Sequence, residues 1–415
     1  MRMLREKEVE NKDKKQNMFA ALFVVIGFLS FSLWICDILL NKGQSRQLDL
    51  FSARMTDFLA DFTNTSGYCA FRSPYDNIAY AGFWHKQYPP FAYIFFWVFS
   101  KFSWKMESYY ATNNFLNMYQ EPFFLVMLIL VYVICCIIIF ELVRKNMKGS
   151  EILRYGVAVT VILSFPMLFS IERGNNTLFA SIFTMIYLFE YDSCSKCRRE
   201  IALISLAVAA ATKLFPAIFG VLLLYQKRWK DALRTVLYGA ALSVLPFFFF
   251  GGGFQYNYTL WIRNIRLAAE MHSPFEGCSI AAVIAGFVPA SIATEKGRLF
   301  LLVVNYLSCI LLLFSAPLYR HRWETILAVT IVVLSAQGQS WYYCLLYLIP
   351  FIIMFLSEEE FSLRCMCIWG AIVLMMTPYR LMSNTLCNSI YISIFIIWLI
   401  IEGSRQAVRY KLGRD

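Results

Sequence analysis

Apolar segments long enough to cross a lipid bilayer recur along this chain, and they constrain its fold more than any other feature. A helix needs roughly 20 apolar residues to span roughly 30 Å of hydrocarbon. Segments near this length lie at residues 18–40, 123–140, 235–250, 299–318 and 386–401. Because 59% of the 415 residues are hydrophobic and only 16% are charged, a soluble domain of this size could not bury the apolar surface. The chain is therefore predicted to be an all-α polytopic membrane protein.

Short blocks of lysine and arginine separate the apolar segments and predict the side that each loop faces. The formal net charge is +11, but the basic residues form no continuous face of the kind that binds nucleic acid. Short loops rich in lysine and arginine stay in the cytoplasm. This rule predicts a cytoplasmic N-terminus at residues 1–17, a single transmembrane domain at 18–402 and a cytoplasmic tail at 403–415. The basic blocks lie at residues 2–15, 144–154, 196–199, 227–234, 320–322 and 405–414.

Some apolar segments do not fit a simple crossing. A large outer loop is predicted at residues 41–121, and within it residues 91–102 are too short to span and predict a re-entrant or surface helix. Residues 279–293 are also short for a span. One span over residues 201–225 would put the following basic block on the wrong side. We therefore predict two short half-helices there, broken at residues 213–216, where Pro216 interrupts the helix.

Two acidic residues and one lysine on the predicted outer face are candidates for catalysis. On a helix, the four-residue spacing of Asp57 and Asp61 places both carboxylates on one face. One of them could serve as the general base for an acceptor hydroxyl group, although a helix cap or a surface pair explains the spacing equally well. Lys213, at the predicted break, could hold a phosphate as a point charge. A lysine that reaches from the helix to the membrane interface is an equally good interpretation.

A short polar turn, also on the predicted outer face, could bind an anion or a sugar. It contains Glu172, Arg173, Gly174, Asn175 and Asn176 and precedes an apolar helix. The glycine permits unusual dihedral angles, and the amides stand beside a helix N-terminus. A helix cap formed by Asn176 is the simpler interpretation of the same residues.

The remaining polar and aromatic residues give weaker signals. The three histidines, His85, His272 and His321, are too scattered for a metal motif, so no metal and no cofactor is predicted. Most of the twelve cysteines lie inside apolar segments, which argues against a disulfide framework. Aromatic residues sit near the predicted membrane surfaces, where ring amphipathicity explains them, and stacking on a sugar is the alternative. These aromatics are Trp84, Tyr88, Trp261 and Trp341.

The order of these clusters resembles glycosyltransferase family 87, over about residues 35–355. Each motif is short, and the series is what carries the resemblance. The family's opening aspartate, Pro-Tyr pair and Tyr-Pro-Pro are matched by Asp57, by Pro74 and Tyr75, and by Tyr88 with its two prolines. Its later motifs are matched by the turn at residues 173–176, by the Lys-Leu-Phe-Pro at residues 213–216 and by the Lys-Arg-Trp at residues 227–229.

The resemblance implies a fold, a reaction and a set of site residues. The family has the GT-C fold and includes mannosyltransferases that use a polyprenol-phosphate mannose, so a GT-C-like bundle of about 11–13 transmembrane helices is expected. The implied reaction is an inverting transfer from a polyprenyl-phosphate-linked sugar, mannose above all, to a hydroxyl of a glycan or glycolipid. Asp57 would be the catalytic base. The implied substrate contacts are Asp61, Tyr88, Glu172, Arg173, Asn175, Asn176, Lys213, Trp341, Tyr342 and Tyr343.

One motif departs from the family pattern late in the chain. Relatives often carry two histidines after the tryptophan of this motif, whereas Trp341 is followed here by Tyr342 and Tyr343. A tyrosine can donate a hydrogen bond to a donor phosphate but brings no charge. Either the identity of the donor or the way in which this chain holds the donor phosphate is therefore expected to differ.

Two other classes of protein stay open at this point. A secondary transporter or lipid-linked sugar flippase would show paired broken helices in internal repeats, and only one clear break is found, at Lys213. A polysaccharide polymerase or ligase would favour a large late outer loop rich in arginine, whereas the largest outer loop here comes first. The expected location is the plasma (inner) membrane, with the active site on its periplasmic or extracellular side and the lipid bilayer as a partner.

Overall fold

The chain is helical throughout the part that the structure describes. The computed structural model describes residues 2–41, 58–69, 72–76, 86–112, 114–271, 279–288, 294–337, 341–379 and 385–411. None of these residues lies in a β-strand. The first helices are α1 (Arg2–Leu40), α2 (Ala60–Tyr68), α3 (Pro90–Ser100), α4 (Met106–Thr112), α5 (Pro122–Asn146), α6 (Glu151–Ile162), α7 (Phe165–Arg173), α8 (Thr177–Glu190) and α9 (Lys196–Thr212). The others are α10 (Val221–Tyr225), α11 (Trp229–Val244), α12 (Gly253–Met271), α13 (Ile280–Phe287), α14 (Glu295–Ser315), α15 (Arg322–Ala336), α16 (Ile349–Glu358), α17 (Leu363–Met376) and α18 (Thr385–Lys411).

Short 3₁₀ helices connect or extend several of these elements. They lie at Phe115–Gln120, Phe215–Gly220, Leu245–Phe248, Ala316–Leu318 and Tyr342–Leu348. Prolines at the first turns of the middle three fix the backbone where no amide donor is needed.

Several helices are long and apolar enough to cross a membrane, which confirms the prediction of an all-α polytopic membrane protein. Five described spans meet this test, and α6 with α7, bent by 42°, makes a sixth if the pair crosses as one. In an apolar 18-residue window of each of the five spans, only 17–33% of the residues are buried inside the protein, so much of the apolar surface of these helices is free to contact lipid. The five are Asn17–Leu40, Pro122–Asn146, Trp229–Phe248, Glu295–Leu318 and Ser389–Gln406.

The predicted number of about 11–13 transmembrane helices is not reached by these spans. Shorter apolar helices of 10–17 residues would have to cross as well, among them α3, α8 and α17. The predicted domain boundaries at residues 17 and 402 both fall inside helices, α1 and α18. The number of spans and these boundaries stay predictions.

The helices cluster into two compact units, each built from separated stretches of chain. The first unit contains Met1–Ala53, Ile139–Leu168 and Phe275–Asp415. The second contains Arg54–Ile138 and Phe169–Pro274.

In the first unit, α1 is held by helices from the far end of the chain. It packs against α6, α16 and α17. The Trp369 indole nitrogen donates a hydrogen bond to the Phe19 carbonyl at 3.0 Å, and the Tyr379 amide donates to the Ser30 hydroxyl at 2.9 Å. An aromatic cluster around the fully buried Trp323 completes the interior of this unit.

In the second unit, an aromatic cluster fixes α2 against α3 and positions the residues described below. The Phe62 ring lies 4.9 Å from that of Phe96 and 5.1 Å from that of Phe99, in edge-to-face geometry. Such pairs are favourable beyond their buried area. Helix α9 packs against both α8 and α11 in the same unit, and a hydrogen bond from Asn176 to the Thr212 carbonyl joins the start of α8 to the end of α9.

The irregular segments follow the sequence predictions with one difference. A short helix, α3, replaces a span at residues 90–100, and α13 is only eight residues long. Helix α9 ends at Thr212, and Lys213 takes an extended conformation before the 3₁₀ helix that contains Pro216, which confirms the break. The first half is not short, however. It starts at Lys196 and runs for 17 residues because Ser195 caps it, accepting a hydrogen bond from the Arg198 amide.

Candidate active site

The start of α2 is anchored to the end of α7 by a backbone hydrogen bond. Leu59 lies in the left-handed region with φ of 55° and donates its amide hydrogen to the Glu172 carbonyl at 2.7 Å. A non-glycine residue with positive φ interrupts the helical path, so α2 begins only at Ala60. Asp61 therefore lies in the first turn of α2.

This helix start overturns the predicted pairing of two aspartates on one helix face. Residues 58 and 59 are in a turn, so no helix runs back from Asp61 through Leu59. Asp57 lies outside the described residues, and its predicted role as catalytic base stays a prediction.

The polar turn between α7 and α8 meets Asp61. Arg173 forms an ion pair with Asp61, with Nη2 3.2 Å from Oδ1. The other carboxylate oxygen, Oδ2, accepts a hydrogen bond from Asn175 Nδ2 at 2.6 Å. The Arg173 and Asp61 side chains are 25% and 23% exposed, so this charge-assisted pair is partly shielded and partly open to a ligand.

Gly174 makes the turn possible. Its φ is 68°, and a Cβ built there would lie 2.6 Å from the Phe62 Cβ. Both the dihedral angle and the close approach exclude a side chain. The prediction that this glycine permits unusual dihedral angles is confirmed.

The cap of α8 is made by a different asparagine from the one that the sequence favoured. Asn175 Oδ1 accepts hydrogen bonds from the Thr177 amide at 2.9 Å and from the Thr177 hydroxyl at 2.6 Å. Asn176 precedes the first helical residue but makes no side-chain cap. Its Nδ2 instead donates to the Thr212 carbonyl at 3.2 Å, at the end of α9. The interpretation of Asn176 as the helix cap is therefore wrong, because its side chain joins α8 to α9 instead.

Lys213 enters the same group of residues from the broken helix. Its Nζ donates a hydrogen bond to the Thr177 hydroxyl at 2.7 Å. The side chain is half-buried, and the chain turns away after it because the helix stops at Thr212. Lys213 and Arg173 are thus joined through Thr177, Asn175 and Asp61 by one continuous series of hydrogen bonds. We refer to these five residues as the polar network.

The chemistry of the polar network suits an anionic ligand. Two cations, Arg173 at the end of α7 and Lys213 just after α9, are held in place by short polar side chains. The one carboxylate among the five residues has both oxygens engaged by its neighbours. Glu172, Asn175 and Asn176 are 3%, 1% and 1% exposed, so they support the network from within. Arg173 and Lys213 are the groups that a phosphate could reach.

A second group of contacts surrounds Tyr88. The Tyr75 hydroxyl donates to the Tyr88 carbonyl at 2.9 Å, and α3 begins two residues later with Pro90 at its first turn. Helix α12 fastens this segment: Trp261 Nε1 donates to the Gln87 carbonyl at 2.9 Å, and Asn264 Nδ2 donates to the Lys86 carbonyl at 3.2 Å. Tyr88 thus lies at the start of α3 and not in the polar network.

Lys86 is a residue in this region that the sequence did not single out. It is fully buried, with its ammonium 4.9 Å from the centre of the Tyr68 ring and hydrogen-bonded to the Asp76 carbonyl oxygen. Burial lowers the pKa of the Lys86 ammonium to about 8, and the Asp76 carboxylate partly opposes this change. Its position two residues before Tyr88 is the sequence feature that could have identified Lys86 as a candidate.

Three predicted substrate contacts belong to the first unit. Trp341 precedes the 3₁₀ helix Tyr342–Leu348, and its carbonyl accepts a hydrogen bond from the Cys344 amide at 2.8 Å. The Tyr342 ring packs edge-on against Phe165 with centroids 4.9 Å apart. Tyr343 is half-buried beside it.

The described part of the chain contains no group of three or more His, Cys, Asp or Glu residues that could hold a metal ion. The predicted lack of a metal stays a prediction. Cys194 and Cys197, the single CxxC, are exposed free thiols.

Comparison with known protein families identifies a match. The family model of glycosyltransferase family 87 matches residues 84–337. The matched range includes Tyr88, the turn between α7 and α8, and Lys213, and it stops before Trp341. No curated protein and no solved structure matches the chain.

Proposed function

The chain belongs to glycosyltransferase family 87 and is a multi-pass membrane glycosyltransferase, and from this premise we propose that its donor is a polyprenyl-phosphate-linked sugar. The sugar, mannose in this proposal, passes to a hydroxyl group of a glycan or glycolipid. The reaction takes place on the outer face of the plasma membrane.

The polar network is the observation that supports this proposal. When the bond between the sugar and the lipid phosphate breaks, the phosphate gains a second negative charge. Arg173 and Lys213 are already oriented by Asp61, Asn175 and Thr177. Cations fixed before the reaction stabilise developing charge without having to reorganise, which is usually the largest electrostatic contribution to catalysis. The Arg173 guanidinium can also contact two phosphate oxygens at once.

The proposed reaction inverts the configuration at the anomeric carbon. The acceptor hydroxyl loses its proton to the Asp57 carboxylate, and its oxygen forms a bond to the anomeric carbon. The bond from that carbon to the phosphate oxygen breaks, and polyprenyl phosphate leaves with the bonding electrons. No strong acid is needed because the leaving group is a stable anion.

The assignment of Asp57 as base draws support from the neighbouring backbone. Leu59 is tied to the Glu172 carbonyl at 2.7 Å, next to Arg173. The chain is therefore fixed beside the polar network two residues after Asp57. Asp61, whose oxygens are engaged by Arg173 and Asn175, serves in this proposal to orient the guanidinium.

Other predicted contacts keep the roles that the family resemblance implies. Tyr88 would contact substrate at the start of α3. Trp341, Tyr342 and Tyr343 would contact the donor, with tyrosine hydroxyls in place of the family's histidines.

A transfer assay with purified protein tests the proposal. The full chain in lipid nanodiscs is given radiolabelled polyprenyl-phosphate mannose and a glycolipid acceptor, and the labelled product is separated from the donor. Asp57→Asn is expected to abolish product formation, and Glu107→Gln, which changes an exposed acidic residue of α4, to retain it.

The result also separates the alternatives. In a parallel assay in sealed proteoliposomes, movement of labelled donor across the membrane without a new glycosidic bond would indicate a flippase. Use of a pyrophosphate-linked donor in preference to the monophosphate would indicate a polymerase or ligase. Substantial activity of Asp57→Asn would rule out this residue as the base while leaving sugar transfer itself intact.

A further inference from the structure

Helix α12 begins at a membrane surface. Four residues separate the end of the span Trp229–Phe248 from Gly253, where α12 starts, and a peptide of this length covers less than roughly 20 Å. Helix α12 itself contains two arginines, three asparagines or glutamines and a glutamate, and it is not among the apolar spans. It therefore stays near the surface at which the preceding span ends.

Aromatic contacts fold α12 back over the end of that span. The Phe247 ring lies 5.8 Å from the Phe254 ring and 5.6 Å from the Trp261 ring. Phe248 and Phe249 are 61% and 82% exposed. Two neighbouring exposed phenylalanines are unfavourable in water but well placed in the interfacial region of a bilayer.

The two faces of α12 have different tasks. One face carries Asn257, Asn264 and Ala268, all buried, and is hydrogen-bonded to the segments around Ser73 and Lys86. The other face carries Thr259, Arg263 and Arg266, all exposed and spaced three or four residues apart. That spacing brings both guanidinium groups to the same side of the helix.

A groove runs along the exposed face of α12. Its volume of ≈ 670 Å³ is within the usual range for small-molecule sites. It is lined by Tyr258, Thr259, Ile262, Arg263, Arg266 and Leu267. The lining thus offers two cations, two hydroxyl groups and two apolar side chains, and none of the lining residues that the structure describes is acidic.

The two arginines are available to a ligand. Among the residues that the structure describes, none forms an ion pair or hydrogen bond with Arg263 or Arg266. Two guanidinium groups on one helix face, without an acidic partner among the described side chains, attract a phosphate and can hold it in bidentate geometry. A surface helix with basic residues and aromatic neighbours gains affinity for membranes from anionic lipids.

We propose that the exposed face of α12 binds the phosphate of an anionic phospholipid head group, with Arg263 and Arg266 as its ligands. Thr259 and Tyr258 supply hydroxyl groups to the head group. Ile262 and Leu267 contact the apolar part of the lipid. A bulk phospholipid is the anion that the bilayer supplies at this depth. The phosphate of the sugar donor is assigned to Arg173 and Lys213, which lie on other helices.

Lipid titration of the purified full chain tests this site. The wild type and the double variant Arg263→Gln/Arg266→Gln are titrated in neutral detergent with short-chain phosphatidylglycerol, and bound lipid is counted by native mass spectrometry. The double variant is expected to bind phosphatidylglycerol roughly tenfold or more weakly, because each charged hydrogen bond to a phosphate contributes substantially to affinity. Phosphatidylcholine is expected to bind weakly to both proteins.

A charge-matched control keeps the experiment specific. Lys105→Gln/Lys230→Gln also removes two exposed positive charges and is expected to bind phosphatidylglycerol like the wild type. Arg263→Lys/Arg266→Lys, which keeps the charge but not the bidentate geometry, is expected to be intermediate and serves if the glutamine variant does not fold.

Several outcomes would overturn the proposal. An equal loss in the lysine control would mean that only net charge matters. Equal binding of phosphatidylcholine would remove the role of the anionic head group. Displacement of phosphatidylglycerol by inorganic phosphate at equal concentration would point to a soluble anion, and preferential displacement by polyprenyl phosphate would make the groove a donor site.

Discussion

Lys213 donates a hydrogen bond from the end of α9 to Thr177 at the start of α8, and it is the residue on which the proposed phosphate site most depends. Lys213→Met keeps the length of the side chain but removes the charge and the donor to the Thr177 hydroxyl. We expect kcat/KM for transfer to fall by about 10²-fold or more, because a preorganised charge at the leaving phosphate is lost. The measurement is the transfer rate in nanodiscs, with Lys230→Met, at an exposed position, as the control. Equal rates in both variants would contradict the assignment.

Lys86 gives a prediction about pH. The pKa of its ammonium is lowered to about 8 in the folded protein, whereas an unfolded lysine titrates near 10.4. Between these two pH values the unfolded chain binds more protons at this position, so the free energy of unfolding rises with pH. Below about pH 8 both states are protonated, and the cost of burying the charge is felt in full.

The comparison with Lys86→Met isolates this contribution. We expect the thermal stability of the wild type, relative to the variant in the same detergent, to increase between about pH 8 and 10. For Lys105→Met, at an exposed position, the difference in thermal stability between wild type and variant should not change with pH over this range. If the stability of the wild type relative to the variant stays constant or falls over this range, burial does not lower the pKa of Lys86.

At the level of single residues, the sequence predicted the members of the polar network better than their contacts. Asp61, Arg173, Asn175 and Lys213 were all candidates, and the structure brings them together. Thr177, which joins Lys213 to Asn175, was missed because a threonine at the start of an apolar helix has no distinctive pattern. The cap was given to Asn176 because adjacent asparagines cannot be told apart until the helix start is known to within one residue.

At the level of elements, the turn between α7 and α8 provides a test of backbone strain. Gly174→Ala would place a Cβ 2.6 Å from the Phe62 Cβ at a φ of 68°. We expect the free energy of unfolding to fall by about 2 kcal/mol, and transfer activity to fall with it, because the turn positions Arg173 and Asn175. Thermal unfolding of the purified variant measures the first effect.

Gly239→Ala is the matched control for this substitution. Gly239 lies within α11, has no atom within 4 Å of a built Cβ and has no positive φ. Its replacement is expected to leave activity unchanged and to leave stability unchanged or slightly increased, because alanine favours a helix interior more than glycine does. Similar losses in both variants would mean that the loss at Gly174 is a general effect of removing glycine.

Helix starts and breaks differed in how well the sequence predicted them. The break after Thr212 was predicted because a proline such as Pro216 lacks an amide donor and interrupts a helix. The start of α2 at Ala60 was not, because it depends on the positive φ of Leu59 and on its bond to Glu172. That bond joins segments more than 100 residues apart, and no local pattern announces it.

At the scale of the whole molecule, the side of the membrane on which each loop lies can be tested with thiol reagents. Cys194, just before α9, and Cys197, in its first turn, are exposed, and the basic residues beside them predict a cytoplasmic position. We expect both to react with a membrane-impermeant maleimide only after the cells are permeabilised. Lys105→Cys, in the predicted outer loop, should react on intact cells, and mass spectrometry of peptides identifies each labelled site. Labelling of Cys194 on intact cells would invert the predicted topology.

The fold class was predictable because hydropathy and charge act over whole segments. The five long spans coincide with the apolar segments of the sequence to within a few residues at most ends. The division into two units was not foreseen, since each unit is assembled from stretches far apart in the chain. Packing between such stretches depends on side-chain shapes that a hydropathy profile does not contain.

The contacts of α1 impose an order on biosynthesis. The hydrogen bond from Trp369 to Phe19 joins residues 350 positions apart. At roughly 5–20 residues per second, the ribosome adds Trp369 roughly 20–70 s after Phe19. Helix α1 is therefore in the bilayer before α16 and α17 have been synthesised. Its exposed apolar residues, such as Val25 and Leu29 at 62% and 58% exposure, allow it to remain stable in lipid during this time. A nascent chain that stops before α16 would leave α1 without these partners and present an incomplete bundle to the membrane quality-control machinery.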